Sequence, residues 1–401
     1  MSRILVRTVV LILSAAALFA SDGNRLPETK PENVGMSAER LALLDIRIGE
    51  ALSRGDFPGA VLLVTRKGHV VWRKSYGLSS MTPEKTPMPV DMIFDLASLT
   101  KPVVTATAVM RLVEDGRIRL WDKVRDYLPE FEPFMKEGGS PGQDARLWHL
   151  LTHTSGLPAY TDPADAAAAC GDPAPTASLA RHIGGLRKEA PIGESFVYSC
   201  LNYIVLAHIV ESVSGQPLDV FAEERIFKPL KMTTAGFKPR AELMKRIVPT
   251  QVVAGAPLRG IVHDPLARLQ GGVSGNAGLF ATADDLAVFA QMMLNGGEFD
   301  GVRILSPLSV ERMTEIHPRV PGFGRGFGWD LDSGYATVKG DLFGARSYGH
   351  SGYTGTSLWI DPETETAVVF LTNRVHPDDK GEIIALRSKV ANIVAAAVLE
   401  K

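Results

Sequence analysis

The 401-residue chain holds only 2 cysteines, too few for a disulfide framework or a cysteine-built zinc module. It also lacks any block of basic residues: 43 Lys+Arg stand against 45 Asp+Glu, a formal net charge of −2. Phosphate recognition needs clustered cations, so no nucleic-acid partner is expected. Collagen-like and coiled-coil repeats are absent. So is the Gly-x-Ser-x-Gly nucleophile elbow, since Gly349-His350-Ser351-Gly352 brings its second glycine one place early. That disfavours an α/β-hydrolase. With 45% hydrophobic residues, 38 Gly and 26 Pro, the chain can bury a sizeable core. Its length suggests two or three domains, or one large fold with an insertion.

Arg3 and Arg7 precede an apolar run from Thr8 to Ala20 that is shorter than the roughly 20 residues a spanning helix needs. Residues 1–20 are therefore expected to be a signal peptide, cleaved after Ala17 or Ala20, making the protein periplasmic or secreted with no stable membrane span. An uncleaved N-terminal anchor is the other reading. Export would place Cys170 and Cys200 where a disulfide can persist, and pairing or two free thiols both stay open.

A polar linker over residues 21–36 leads to a helix capped by Ser37, with Leu41, Leu44, Ile48 and Leu52 on one face. Two β-rich runs, Gly59–Thr65 and His69–Lys74, read as a hairpin turning at Arg66-Lys67-Gly68. Ser357–Ile360 and Thr366–Leu371 read as a second, and a last helix spans about Gly381 to Leu399. Between them Leu96–Glu114, Leu201–Ser214 and Ala283–Leu294 read as helices separated by Gly/Pro-rich loops. The expected fold class is α+β. An antiparallel sheet is built from both chain ends (about 37–95 and 320–401), flanked by terminal helices, with an all-helical region (about 96–319) inserted.

Three stretches carry candidate chemistry. In Ser98-Leu99-Thr100-Lys101-Pro102, Ser98 and Lys101 share one helix face, and Pro102 places Ser98 in the first turn. A lysine amine there can share the serine proton. Tyr198-Ser199-Cys200 stands ahead of an apolar helix, where a neighbouring ammonium would lower a phenol pKa. Tyr348-Gly349-His350-Ser351-Gly352-Tyr353 leads into the last strands. Each has a bland reading: an exposed Ser and Lys, a core tyrosine, a glycine-rich turn.

In this order the three stretches resemble the serine β-lactamase/penicillin-binding-protein superfamily, in its class C-like branch, which also holds D,D-peptidases and family VIII carboxylesterases. The likeness runs from about Pro31 to Leu399 and includes Leu150-Leu151-Thr152-His153-Thr154-Ser155-Gly156-Leu157. It implies a β-lactamase/transpeptidase-like fold and a serine hydrolase without cofactor. Ser98 would be acylated, with Lys101 assisting. Tyr198, ionised or nearly so, would be the general base, and His350 would shape the substrate side of the cleft. The backbone N–H groups of Ser98 and Tyr353 would form the oxyanion hole. Ser351 and Gly352 complete the same box.

Two departures favour ester or amide hydrolysis over β-lactam hydrolysis. Cys200 stands where the family has asparagine, and His350, largely neutral near pH 7, where it has a fixed lysine cation. Arg346 is the expected substitute charge. The substrate would be a small ester or amide, or a peptidoglycan-derived peptide. The rivals are a class C-type β-lactamase or D-alanyl-D-alanine carboxypeptidase, and a non-catalytic peptidoglycan- or penicillin-binding sensor. A metal hydrolase using His149 and His153 is disfavoured, because no Glu lies between them in His-Glu-x-x-His form. Ser274-Gly275-Asn276 reads as a glycine-rich turn, with His263 and Asp264 ahead of it either in the cleft or on the surface.

Overall fold

A computed structural model describes residues 25–400, and the expected signal peptide lies outside them. The two hairpins meet in one sheet. From the N-terminal side come β1 (Gly59–Arg66), β2 (His69–Ser80) and β3 (Thr86–Pro87). A separate small ladder joins β4 (Phe94–Asp95) to β5 (Phe280–Ala281). The C-terminal side supplies β6 (Tyr348–Ser351), β7 (Thr356–Asp361) and β8 (Thr366–Thr372). The six-stranded order is β6-β7-β8-β1-β2-β3, so the two chain ends pair at its centre, Ala60 opposite Thr372 and Arg66 opposite Thr366. The antiparallel sheet from both termini is thus as expected, although β2 runs to Ser80, beyond the expected Lys74.

Alternation along β1 assigns its side chains to two cores. Ala60, Leu62 and Val64 pack with the terminal helices, whereas Val61 and Leu63 join the larger helical core. The first layer is α1 (Leu43–Arg54), which buries Leu44, Ile48 and Ala51. Each large side chain there contributes about 1.5–3 kcal/mol. The second layer includes α2 (Thr107–Glu114), α3 (Leu147–Leu151), α4 (Cys200–Ser214) and α5 (Ala283–Leu294). In α4 every residue from Leu201 to Ala207 is buried, as its all-round apolar sequence demands. Finally α6 (Ile384–Ala397) returns to pack beside α1. Among the described residues no helix is long and apolar enough to cross a membrane.

Three expectations need correction. The inserted region is not all-helical, since β5 and two short ladders, Val252–Val253 with Ala256–Pro257 and Glu298–Phe299 with Val302–Arg303, lie within it. Residues 25–36 are not a free linker: Leu26, Val34 and Met36 are buried, Glu28 bridges to Val70, and Pro31–Val34 forms a 3-10 turn. The expected helix Leu96–Glu114 is three pieces. A 3-10 turn, Ala97–Leu99, is followed by a π-helical stretch, Lys101–Ala106, before α2 begins. A π-turn near the first residues of a helix commonly marks a functional site.

Candidate active site

Ser98 is held by a clamped turn. Ala97, just before it, has φ 46, a left-handed conformation that costs a non-glycine residue about 1–2 kcal/mol. Its N–H donates to Asp95 Oδ1 at 2.9 Å, while Asp95 Oδ2 accepts from His263 N–H at 2.7 Å. The hydroxyls of Thr354 and Thr356 donate to the carbonyls of Asp95 and Leu96 at 2.7 and 3.0 Å. The nucleophile turn is thereby stitched to the start of β7. Burial, the larger influence, raises the Asp95 carboxyl to about 6 against those two backbone hydrogen bonds.

Gly352 makes this closeness possible. A Cβ there would meet Thr356 Oγ1 at 2.2 Å and the Leu96 carbonyl at 2.5 Å. Only glycine lets the chain leaving β6 pass so near the serine turn.

Lys101 is fully buried, and its ammonium donates to three acceptors: Ser98 Oγ at 2.9 Å, the Asn276 carbonyl at 3.0 Å and Cys200 Sγ at 3.5 Å. Burial pulls its pKa down, but the neighbouring Cys200 and Tyr198 side chains outweigh this and hold it above the ordinary lysine value. Tyr198 presents its phenol to Ser98 and Lys101, with Lys101 Nζ 5.1 Å from its ring centroid. Burial raises that phenol, and Lys101 only partly opposes it. The resting pair is therefore phenol and ammonium, which corrects the expectation of an ionised Tyr198.

A base must first lose the one proton that this pair holds too tightly. We expect kcat/KM on a neutral ester to climb between about pH 6 and about pH 9, approaching tenfold per unit. A flat or falling profile over that range would contradict the assignment.

Ser98, Tyr198, Cys200, His350, Ser351, Gly352 and Tyr353 all line one cavity of about 690 Å³. His350 is buried and donates from Nδ1 to the Ser351 carbonyl at 2.8 Å. A carbonyl only accepts, so in the neutral ring Nε2 carries the lone pair, and Nε2 has no partner. Burial, then Arg325 and Lys101, push its pKa well below the usual histidine value. The Tyr353 side chain is exposed, donating to Asp379 Oδ2 at 2.7 Å and stacked on His263.

His263 and Asp264 face the cavity too, which settles that alternative. Asp264 also caps the helix Pro265–Leu269. Ser274–Asn276 is more than a turn, since the Asn276 carbonyl holds Lys101.

The expected charge from Arg346 fails, and the open question of the two cysteines closes. Cys170 and Cys200 are free thiols, not a disulfide. Arg346 is exposed and away from the cavity; the guanidiniums on its wall are Arg325, Arg374 and Arg387. His149 and His153 do not share a helix face. His149 lies in α3, accepting the Arg146 N–H at 2.9 Å, whereas His153 follows it with φ 59 and accepts the Ser199 N–H at 3.0 Å. His153 instead underlies the tyrosine, ring centroids 4.5 Å apart. No group of three or more His, Cys, Asp or Glu among the described residues is placed to hold a metal.

These neutral buried imidazoles set the acid limit of the fold. Burial first lowers His149 to about 3 and His317 to about 4, and it pushes His153 and His350 well below the ordinary histidine value. A lowered histidine contributes stability above its unfolded pKa near 6.5 that is lost as pH falls toward its folded value. At pH 5 this loss is about 2 kcal/mol for each of His149 and His317. Asp95 and Asp285, both raised to about 6 chiefly by burial, act oppositely and return about 1.4 kcal/mol each on the same descent. His149 and His317 alone outweigh the two carboxyls, and His153 and His350 act in the same direction. The urea midpoint should therefore be clearly lower at pH 5 than at pH 7; an equal or higher midpoint would refute this.

A family model described as Beta-lactamase matches residues 44–391. The chain belongs to the β-lactamase family. A relative from Salmonella agona (strain SL483), whose name assigns it provisionally as a D-alanyl-D-alanine carboxypeptidase, is 32% identical over 400 residues, covering 93% of this chain and 91% of its own. Among solved structures, EstCE1, a hydrolase with promiscuous acyltransferase activity, superposes with TM-score 0.71 at 23% identity, over 90% of this chain and 99% of its own. A family VIII carboxylesterase gives TM-score 0.67 at 20% identity, over 90% and 99%. These two share the fold. This β-lactamase-family chain is a serine hydrolase.

Proposed function

We propose that the protein hydrolyses ester or peptide-like amide bonds through an acyl-Ser98 intermediate. The supporting observation is the buried Lys101 ammonium on Ser98 Oγ, with the Tyr198 phenol facing both at the wall of the cavity. Once the Tyr198–Lys101 pair has lost a proton, it takes the Ser98 hydroxyl proton as Oγ attacks the carbonyl carbon. The backbone N–H groups of Ser98 and Tyr353 hold the tetrahedral oxyanion, each donor contributing about 3–4 kcal/mol. As the carbonyl re-forms, the pair returns the proton to the departing alcohol or amine. Water then attacks the ester by the same route.

Replacement of the family's lysine by neutral His350 and of its asparagine by Cys200 supports esters and peptides over β-lactams. The name of the Salmonella relative supports a carboxypeptidase action within that range. Export is part of the reading, carried by Arg3, Arg7 and the apolar Thr8–Ala20. N-terminal sequencing of the exported form should begin at Leu18 or Ser21.

Quenching the reaction with an activated ester during its burst and measuring intact mass should show one acyl increment, located by peptide mapping on Ser98. Turnover with no adduct under any quench, or an adduct elsewhere, would overturn the assignment.

A further inference from the structure

Arg387 is a buried cation outside the catalytic set. It stands near the start of α6, whose apolar side chains pack with those of α1, yet it reaches the cavity wall. Among the described residues its hydrogen-bond acceptors are two backbone carbonyls and no carboxylate: Nη2 donates to Gly352 at 3.1 Å and to Thr356 at 2.8 Å. Burial, with Arg374 adding repulsion, lowers its pKa to about 9, and Glu382 opposes this only from a distance. A cation held in a dry place without a bonded counter-ion is expensive.

What this charge touches is the turn that leaves β6. The Gly352 N–H donates to the Thr356 carbonyl at 2.7 Å, and the Gly355 N–H to the Gly352 carbonyl at 3.1 Å. Nη2 therefore spans both carbonyls of the turn. The Gly352 carbonyl belongs to the same planar peptide as the Tyr353 N–H, and in a trans peptide the two point in opposite directions. Pinning the oxygen thus aims the N–H. A cation on the oxygen also draws electron density through the amide, which makes the N–H a stronger donor. The Thr354 and Thr356 hydroxyls hold the same turn against Asp95 and Leu96, but they bring no charge to it.

We propose that Arg387 is a positioning residue for the oxyanion hole: its guanidinium, bonded to the Gly352 carbonyl, aims and polarises the Tyr353 N–H toward the oxygen of the tetrahedral intermediate. The charge acts across one peptide and need not touch the substrate. This inference rests on the acyl-Ser98 reading, with the Tyr353 N–H as an oxyanion donor.

The test uses a neutral nitrophenyl ester, an arylboronic acid that forms a tetrahedral adduct on an active-site serine, and the variants Arg387→Met and Arg387→Lys. An oxyanion donor acts in the transition state and little in the ground state, and acylation and deacylation both pass through it. Arg387→Met should therefore lower kcat by about tenfold to a hundredfold with KM within about threefold, because the N–H is misaimed rather than deleted. The boronate inhibition constant should rise by a similar factor. Arg387→Lys should keep at least about threefold more kcat than Arg387→Met, since an ammonium still brings a charge to the carbonyl. An unchanged kcat in a folded Arg387→Met protein overturns the proposal. So does a loss confined to KM with boronate binding intact, or one that Arg387→Lys shares in full. If neither variant folds, Arg387 serves the fold and the proposal falls. Wild-type protein that turns over the ester yet forms no boronate adduct on Ser98 refutes the acyl-Ser98 reading instead.

Discussion

Ser98→Ala should lower kcat on an activated ester by about ten-thousand-fold or more and abolish the burst. The size follows from the division of labour. Without Oγ there is no covalent route, and whatever remains comes from the cavity and oxyanion donors acting on water. The backbone should be undisturbed, because Ala97, Asp95, Thr354 and Thr356 hold the turn without using the serine side chain. Melting temperature is the control. A folded Ser98→Ala protein with near-normal turnover would remove Ser98 from the mechanism.

Lys101→Ala should cost about 10³–10⁴-fold in kcat/KM and lower the melting temperature as well. The ammonium orients Ser98 Oγ, supports any charge developing on Tyr198 and is anchored by the Asn276 carbonyl. Its removal takes all three away at once. Stability should fall too, because the surroundings hold Lys101 above its ordinary pKa, so the folded state favours the ammonium, and its loss leaves the Asn276 carbonyl without this donor. Activity and stability should therefore fall together. Parallel steady-state kinetics and thermal melts would show it, and unchanged kcat/KM would sink the role given to Lys101.

Much of the sheet was readable because the continuous apolar runs Val61–Val64 and Val368–Leu371 are short, rich in valine and bounded by turn residues. Ser98 and Lys101 were readable because their spacing is itself the chemistry, although the turn that carries them was not. A π-segment beginning at Lys101 leaves no periodicity distinct from an α-helix. The Asn276 contribution comes from a backbone carbonyl, which no residue type announces. Arg325 is a single cation between glycines, and only the fold reveals its place in the cavity wall. The segment 25–36 looked like a linker since Leu26, Val34 and Met36 are isolated among polar residues and prolines. The resting Tyr198 proton was missed because burial outweighed Lys101, a balance of solvation that residue order does not contain.

The pairing of β1 with β8 carries a consequence for biosynthesis. Ala60 meets Thr372 only after nearly the whole polypeptide has been made. Contacts so distant along the chain close late and slowly, because loop entropy must be overcome before they are rewarded. The residues of the cleft straddle that closure: Ser98 and Lys101 stand at the start of the helical region, while His350 to Tyr353 follow it. A growing chain on the ribosome therefore has no assembled cleft, and C-terminal truncations that remove β8 should yield no active fragment, however well their helices collapse.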